Sequence, residues 1–223
     1  MKRIQGWGNI KTDYPLPEPA QAYLKQVVGK PHPVHNVAIR DLLDKVPASR
    51  LPKHILITTQ AEERLRHARG QSLNDWVDMY DGLINTFPDG VAYPETDAQV
   101  RELIEFALKH KINLIPYGGG SSVVGHLTPP QNNLPTLSVD LAKLNQLLDL
   151  SKDNSEATFG AGVSGPELEA QLKKHGFVLG HFPQSWEYST LGGWIVTRSV
   201  GQQSYHYGRI EPLFVNGHLE TPA

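Results

Sequence analysis

From Asp89 to Tyr117 the chain alternates in a way few folds accommodate: GVAYP, then TDAQVRELIEFALKHK, then INLIPY. Two short apolar runs flank a segment whose Val100, Leu103, Ile104, Ala107 and Leu108 share one helical face, with Thr96 or Asp97 placed to cap it. This spacing predicts strand, helix, strand, and a helical crossover of that length joins parallel strands. The second strand runs directly into Gly118, Gly119 and Gly120, followed by Ser121 and Ser122. Glycine loses more backbone freedom on folding than any other residue, so three in a row ask for a geometric reason. No Lys follows them, so this is not a Walker loop. The run offers a row of backbone N–H groups unscreened by side chains, plus two hydroxyls, which together can hold a phosphate pair. A flexible surface turn accounts for the same residues equally well.

Residues 1–82 read as a lead-in of short helices. Glu18 to Val28 is bounded by proline before it and by Gly29 and Pro31 after it. Val37, Leu42, Leu43 and Val46 sit at helical spacing up to Pro47, HILITT reads as extended, and Ser72 is an N-cap for SLNDWVDMYDGLI. The prolines between Pro15 and Pro33 suggest an arm that packs along another surface rather than building a core. With 39% hydrophobic and 20% charged residues over 223 positions, the chain is expected to be soluble and globular, as one large domain or two small ones. A formal net charge of −2 makes no electrostatic case for nucleic acid or an anionic membrane. The absence of Cys excludes disulfides, thiolate catalysis and Cys-ligated zinc. No segment approaches the ~20 apolar residues of a membrane helix, and the basic start has no apolar run behind it. Cytoplasm is the default expectation.

Beyond the glycine run, TLSVDLAKLNQLLDL, EATFGAG and the helix Gly165 to His175 predict a mixed or antiparallel sheet from about Leu137, giving an α+β class. Gly160, Gly162 and Gly165 spell G-x-G-x-x-G, the outline of a dinucleotide fingerprint. The preceding NSEATFG is too polar for a strand buried on both faces. Pro166 and the pair Ser164 and Glu167 already account for a capped helix start, with a carboxylate where a pyrophosphate would sit. PQSWEYSTLGGWIVTRS concentrates small and polar residues. Gly192 and Gly193 would let backbone approach a flat ligand, Ser189, Thr190, Thr197 and Ser199 supply hydroxyls, and Arg198 a charge. A strand-turn-strand around a buried Trp194 explains the aromatics but not that clustering. The ten histidines are scattered, and Pro33 separates the one close pair, His32 and His35. With no H-E-x-x-H and no G-x-S-x-G, neither a metal site nor a serine hydrolase is expected.

The stretch FPDGVAYPETDAQVRELIEFALKHKINLIPYGGGSSV, followed by GAGVSGPELEAQLKKHGFVLGHFPQSWEYSTLGGWIVTRSVGQQSYHYGRIE, resembles the FAD-binding domain of the vanillyl-alcohol oxidase and p-cresol methylhydroxylase (PCMH-type) superfamily. Within it the alkyldihydroxyacetonephosphate synthases and their bacterial relatives are most similar, and GWG at Gly6 to Gly8 and RLRHARGQSLNDW extend the likeness. The resemblance implies a PCMH-type domain over residues 83–223, made of two α/β subdomains with FAD between them. By position, Pro116, Tyr117, Gly118, Gly119, Gly120, Ser121 and Ser122 would wrap the FAD diphosphate. Gln184, Ser185, Tyr188, Ser189 and Thr190, with Gly192 and Gly193, would run past the flavin, and Thr197, Arg198 and Ser199 would add a further contact. Gln184 stands where Asp is usual, and Ser199 with Val200 replaces Ala-Ser or Ser-Ser. Some members attach FAD through His or Cys; neither lies in this loop, so noncovalent FAD is implied. A β-branched residue at Gly119 is expected to abolish flavin retention and leave the protein folded.

In that family the flavin N5 holds the substrate while an acyl group leaves and a fatty alcohol enters, and neighbouring members are FAD-linked oxidases and 2-hydroxy-acid dehydrogenases. Members continue past YGRIE into a cap domain that carries the catalytic Tyr and His. The resemblance therefore implies the front half of such a protein, with no catalytic residue of its own. The His206 and Tyr207 pair fits a turn as well as a catalytic role. Self-association through the surface a cap would cover is expected. A noncatalytic remnant with weak or absent FAD binding is the alternative.

Overall fold

The computed structural model describes residues 3–32 and 35–222; Met1, Lys2, Pro33, Val34 and Ala223, and the expectations resting on Pro33, lie outside the described residues. The lead-in forms α1 (Glu18–Val28), α2 (Ile39–Leu43), β1 (Ile57–Thr58), α3 (Ala61–Arg66) and α4 (Leu73–Asp81). Ser72 and Asp75 close a reciprocal capping box on α4: the Asp75 N–H donates to Ser72 Oγ at 3.1 Å and the Ser72 N–H to Asp75 Oδ2 at 2.9 Å. Leu42, Leu65, Met79, Ile84 and Phe87 pack with Ile4 and Ala68 into one buried cluster. The lead-in thus has a core of its own, which the proline content did not suggest. Apart from Ile4, its buried apolar residues run from Leu42 to Phe87, beyond the proline stretch. Among the described residues of the arm, α1 buries none, and Tyr23, Leu24 and Val27 stay exposed.

The next segment forms β2 (Gly90–Ala92), α5 (Asp97–His110), β3 (Asn113–Tyr117) and β4 (Thr136–Asp140). The sheet order is β1-β2-β4-β3, with β4 parallel to both neighbours and β1 antiparallel to β2. The strand-helix-strand unit is present, but its strands do not touch, because β4 inserts between them. This corrects the expectation that Leu137 opens a second sheet. Every residue of β4 is buried, as a central parallel strand requires, and Leu137 and Val139 share a core with Ala92, Leu103, Ala107 and Ile112. Thr96 caps α5 by accepting from the Gln99 N–H at 3.2 Å.

The second unit is smaller than expected: a hairpin of β5 (Leu147–Ser151) and β6 (Glu156–Phe159), then α6 (Gly165–Lys173), α7 (Leu191–Thr197), α8 (Ser204–Tyr207) and α9 (Ile210–Leu213). LGGWIVT is helix α7 and not part of a strand-turn-strand. Trp194 is buried as expected, among Val163, Leu168, Leu172 and Ile210, and its indole N–H donates to Ser189 Oγ at 2.6 Å. The G-x-G-x-x-G stretch is a packing junction. A Cβ on Gly162 would fall 1.6 Å from the Leu141 carbonyl oxygen, and one on Gly160 2.2 Å from that of Leu144. The Glu167 carboxylate accepts from the Ser164 N–H at 3.0 Å and the Ser164 hydroxyl at 2.7 Å, so a carboxylate occupies that helix start.

Asp89 ties these parts together at the entry to β2. Its buried carboxylate accepts from the Arg50 N–H at 3.0 Å, Arg50 Nε at 2.9 Å, Arg50 Nη2 at 2.7 Å and the Thr136 N–H at 2.8 Å. Burial alone would raise its pKa and is the largest single influence; the Arg50 and Thr136 hydrogen bonds and the Arg50 charge together outweigh it and hold the carboxyl below its ordinary value. A depressed folded pKa stabilises fully above the unfolded value and is lost as pH falls through the folded one. Replacing Asp89 with Ala should cost about 2–3 kcal/mol in urea unfolding at neutral pH. That deficit should shrink below about pH 4, where the parent loses the same interaction.

Candidate functional site at the glycine loop

The parallel strands deliver their carboxyl ends to one edge. Tyr93 follows β2, Tyr117 ends β3, Asp140 ends β4, and the glycine run leaves β3 at the same edge. Ligands of open parallel sheets bind in the crevice outside these ends. The loop is held there by direct backbone packing. A Cβ on Gly119 would lie 1.7 Å from the Tyr188 carbonyl oxygen, and one on Gly118 would lie 2.4 Å from Thr190 Oγ1. Gly120 has φ +71° and sits against the Tyr117 hydroxyl, 2.0 Å from where its Cβ would be. On the other side the Gln71 N–H donates to the Ser122 carbonyl at 2.6 Å. The loop is therefore wedged between the lead-in and the segment 188–190, which a mobile surface turn is not.

A cavity of about 160 Å³ opens on the loop's remaining face, lined by Gly119, Gly120, Ser121 and Tyr188 above and by Tyr117, His67, Asp140 and Arg66 below. His67 is held at both nitrogens: Nε2 lies 3.0 Å from Asp140 Oδ2 and Nδ1 2.7 Å from the Glu63 carbonyl oxygen. Its ring packs tilted against Tyr117, centroids 4.3 Å apart, and edge-on to Tyr93 at 5.8 Å, whose hydroxyl donates to Glu63. Burial first, then nearby carboxylates (Glu63 for Tyr93, Asp140 for Tyr117), push both phenols well above their ordinary pKa, so both remain protonated donors. Trp7 closes the mouth edge-on to Tyr188, ring centroids 5.2 Å apart. A larger groove of about 600 Å³ lies between α4 and residues 123–131, lined by Asp75, Asp78 and Arg69 among others and away from the glycines of the loop.

The structure gathers part of the expected set. Tyr117, Gly119, Gly120, Ser121 and Tyr188 line the cavity, while Gly118 and Thr190 form the packed seam behind it. Ser122 turns away, 3.4 Å from His126 Nδ1, and Pro116 is exposed. Ser189 is committed inside the protein, donating to the Ser185 carbonyl at 2.9 Å and accepting from Trp194. Gln184 is exposed. Gly192 packs on Ala161, whereas a Cβ on Gly193 would meet only Thr190 Oγ1, at 3.4 Å. Thr197 donates to the Gly193 carbonyl at 2.7 Å, Arg198 pairs with Glu211 at 2.9 Å, and the Ser199 hydroxyl meets buried His181 at 2.6 Å. His206 and Tyr207 are exposed and outside the cavity. Glu63, Arg66, His67, Tyr93 and Asp140 were given no role from the sequence. Their signal was position, at strand ends and inside RLRHARGQSLNDW.

The residues fit a diphosphate through a side-chain-free backbone wall, a hydroxyl at Ser121 and phenol and guanidinium groups opposite, while the two carboxylates of the lining, Asp140 and Glu63, are engaged by His67 and the Tyr93 hydroxyl. The cavity is smaller than the roughly 300–1,000 Å³ of clefts that enclose whole ligands, so it takes a fragment of a dinucleotide. Two glycine substitutions separate packing from ligand approach. Gly119→Val meets the Tyr188 backbone, so it should lose about 3 kcal/mol or more in thermal unfolding along with flavin, contrary to the expectation that it spares the fold. Gly193→Ala, inside α7 with room for its methyl, should melt no lower than the parent; a drop in its flavin content alone would put Gly193 against the ligand.

Residues 88–218 match the family model described as FAD binding domain. Alkyldihydroxyacetonephosphate synthase of Dictyostelium discoideum is 40% identical over 159 residues, covering 71% of this chain and 26% of that protein. The synthase of Caenorhabditis elegans is 35% identical over 205 residues, covering 92% of this chain and 33% of that protein. A solved structure of alkyldihydroxyacetonephosphate synthase superposes with a TM-score of 0.79 at 30% identity, over 96% of this chain and 44% of that one. The chain thus spans about a quarter to a third of the length of these curated relatives. Glycine loop, strand-end crevice and matched sequence agree: the chain belongs to the FAD binding domain family, with FAD as its cofactor.

Proposed function

We propose that this chain holds FAD noncovalently, by its diphosphate, for chemistry of the alkyldihydroxyacetonephosphate synthase type. The observation that carries the reading is the wedged glycine loop, whose Gly119, Gly120 and Ser121 face a cavity at the carboxyl ends of three parallel strands. In this reading the backbone of Gly119 to Ser121 binds the phosphate oxygens. Tyr117, packed tilted against His67 and capped by Gly120, keeps the loop in shape before FAD binds, so little ordering is left to the binding step. Tyr188 and Trp7 limit water at the mouth. FAD bound there supplies the reactive N5 of its isoalloxazine. No helix among the described residues is long and apolar enough to cross a membrane, and the reading assigns the protein to the cytoplasm, with self-association as a further property to be measured by sedimentation.

Purified protein should be yellow with flavin absorbance, and acid precipitation should release the colour to the supernatant as FAD. Protein that is colourless and takes up no added FAD would refute the reading. Colour remaining in the precipitate would refute its noncovalent part.

A further inference from the structure

We propose that Trp7, in the lead-in and outside the matched domain, stacks on a heteroaromatic ring of the bound dinucleotide. The inference rests on the FAD reading above and deepens it. It begins with a limit of space. The cavity against Gly119 to Ser121 holds about 160 Å³, less than clefts that enclose whole ligands. A diphosphate seated there leaves no room for the rings that FAD carries at either end. A ring has to meet the protein at the cavity's rim.

Trp7 stands at that rim with its neighbours Gly6 and Gly8, and all three line the cavity. Of the four tryptophans it is the exposed one, at 38%; Trp76 and Trp186 are half-buried and Trp194 is buried. It belongs to none of the three apolar clusters. A single exposed apolar side chain needs no explanation by itself, but the turn that carries this one does. Gly6 has φ +84° and Gly8 φ +97°, where an L side chain is strained. The turn is also tied down on both sides of the indole. The Arg3 N–H donates to the Gly8 carbonyl at 3.0 Å and Arg3 Nε to the Asn9 carbonyl at 3.1 Å. The Gln5 side-chain amide donates to the Val37 and Met79 carbonyls at 2.9 and 3.2 Å, and Ile4 is buried in the lead-in core. The backbone thus fixes the indole at the rim without burying its ring. That ring meets Tyr188 edge-on, at an interplanar angle of 81°. An edge-on contact occupies at most one face of one ring, and the exposure of Trp7 leaves indole surface for a flat partner. Adenine and isoalloxazine both present such a face, and stacking on an aromatic side chain tolerates either.

The test compares parent, Trp7→Leu and Trp7→Phe, each as the full chain stripped of cofactor. Both replacements are apolar, and only Phe keeps a flat face. FAD is titrated by flavin fluorescence, and three competitors are then set against it: ADP, riboflavin and inorganic pyrophosphate, which has no ring. Melting curves are the folding control. Trp7→Leu should bind FAD about tenfold more weakly than the parent and melt with it, while Trp7→Phe should keep most of the affinity. Pyrophosphate should bind parent and Trp7→Leu equally. With pyrophosphate unchanged, a loss for ADP puts adenine on the indole, and a loss for riboflavin puts the isoalloxazine there. Parental FAD affinity in Trp7→Leu, equal affinity in the Leu and Phe variants, or a loss that extends equally to pyrophosphate overturns the inference alone. A parent that takes up no FAD overturns the cofactor reading and this inference with it.

Discussion

The close approach of the Gly118–Gly119 backbone to Tyr188–Thr190 is the constraint on which the rest of this structure depends. Two chain segments some seventy positions apart touch there, Gly119 against the Tyr188 and Ser189 main chain and Gly118 against the Thr190 side chain, and neither glycine has room for a Cβ. On its other flank the same loop takes the Gln71 N–H on the Ser122 carbonyl, with Gly70 pressed against that oxygen. The buried apolar residues fall into three separate clusters, in the lead-in, the sheet and the α6–α7 unit. The loop leaves β3 of the sheet and touches both Gly70 and Gln71 of the lead-in and the residues 188–190 that precede α7. The glycines therefore serve packing first, and the cavity is what remains on the face left open.

That order explains how such a site is built. A phosphate-binding loop must hold its amides in one arrangement before the ligand arrives, or binding carries the ordering cost. Here one face is fixed by Tyr188 and Thr190, the underside by Tyr117, and Tyr117 by His67 and Asp140. The strand ends thus supply a rigid floor of phenol, imidazole and carboxylate. Buried polar groups of this kind stabilise only when each finds a partner, and His67, Tyr93 and Asp140 all do.

Much of this was legible in the sequence. Helical periodicity and capping residues located α1, α4, α5 and α6 closely, because those signals are local. The glycine loop and the 184–199 segment were recognised as one site through their resemblance to a family. What the sequence hid was non-local. Nothing in TLSVDL says that it slots between two strands already joined by a helix; that order follows from tertiary burial, since β4 is covered on both faces. α7 was missed because Gly192 and Gly193 lower helix propensity, and packing against Ala161 and the capture of Trp194 by Ser189 override it. Ser189 illustrates the limit of reading hydroxyls as ligand contacts: its oxygen is spent on the indole. Arg66 and His67 lie in RLRHARGQSLNDW, a stretch that extends the family likeness, but nothing in it places them beside the loop until the end of α3 is set against Tyr117.

The central claim is that lead-in, glycine loop and the 185–191 segment form one site around the cofactor. Hydrogen exchange read by mass spectrometry, with and without added FAD, tests it most directly. The account predicts that FAD slows exchange together in peptides covering residues 63–71, 117–122 and 185–191, and leaves the α1 peptide unchanged. Protection confined to one of the three, or spread evenly over the whole chain, would contradict it.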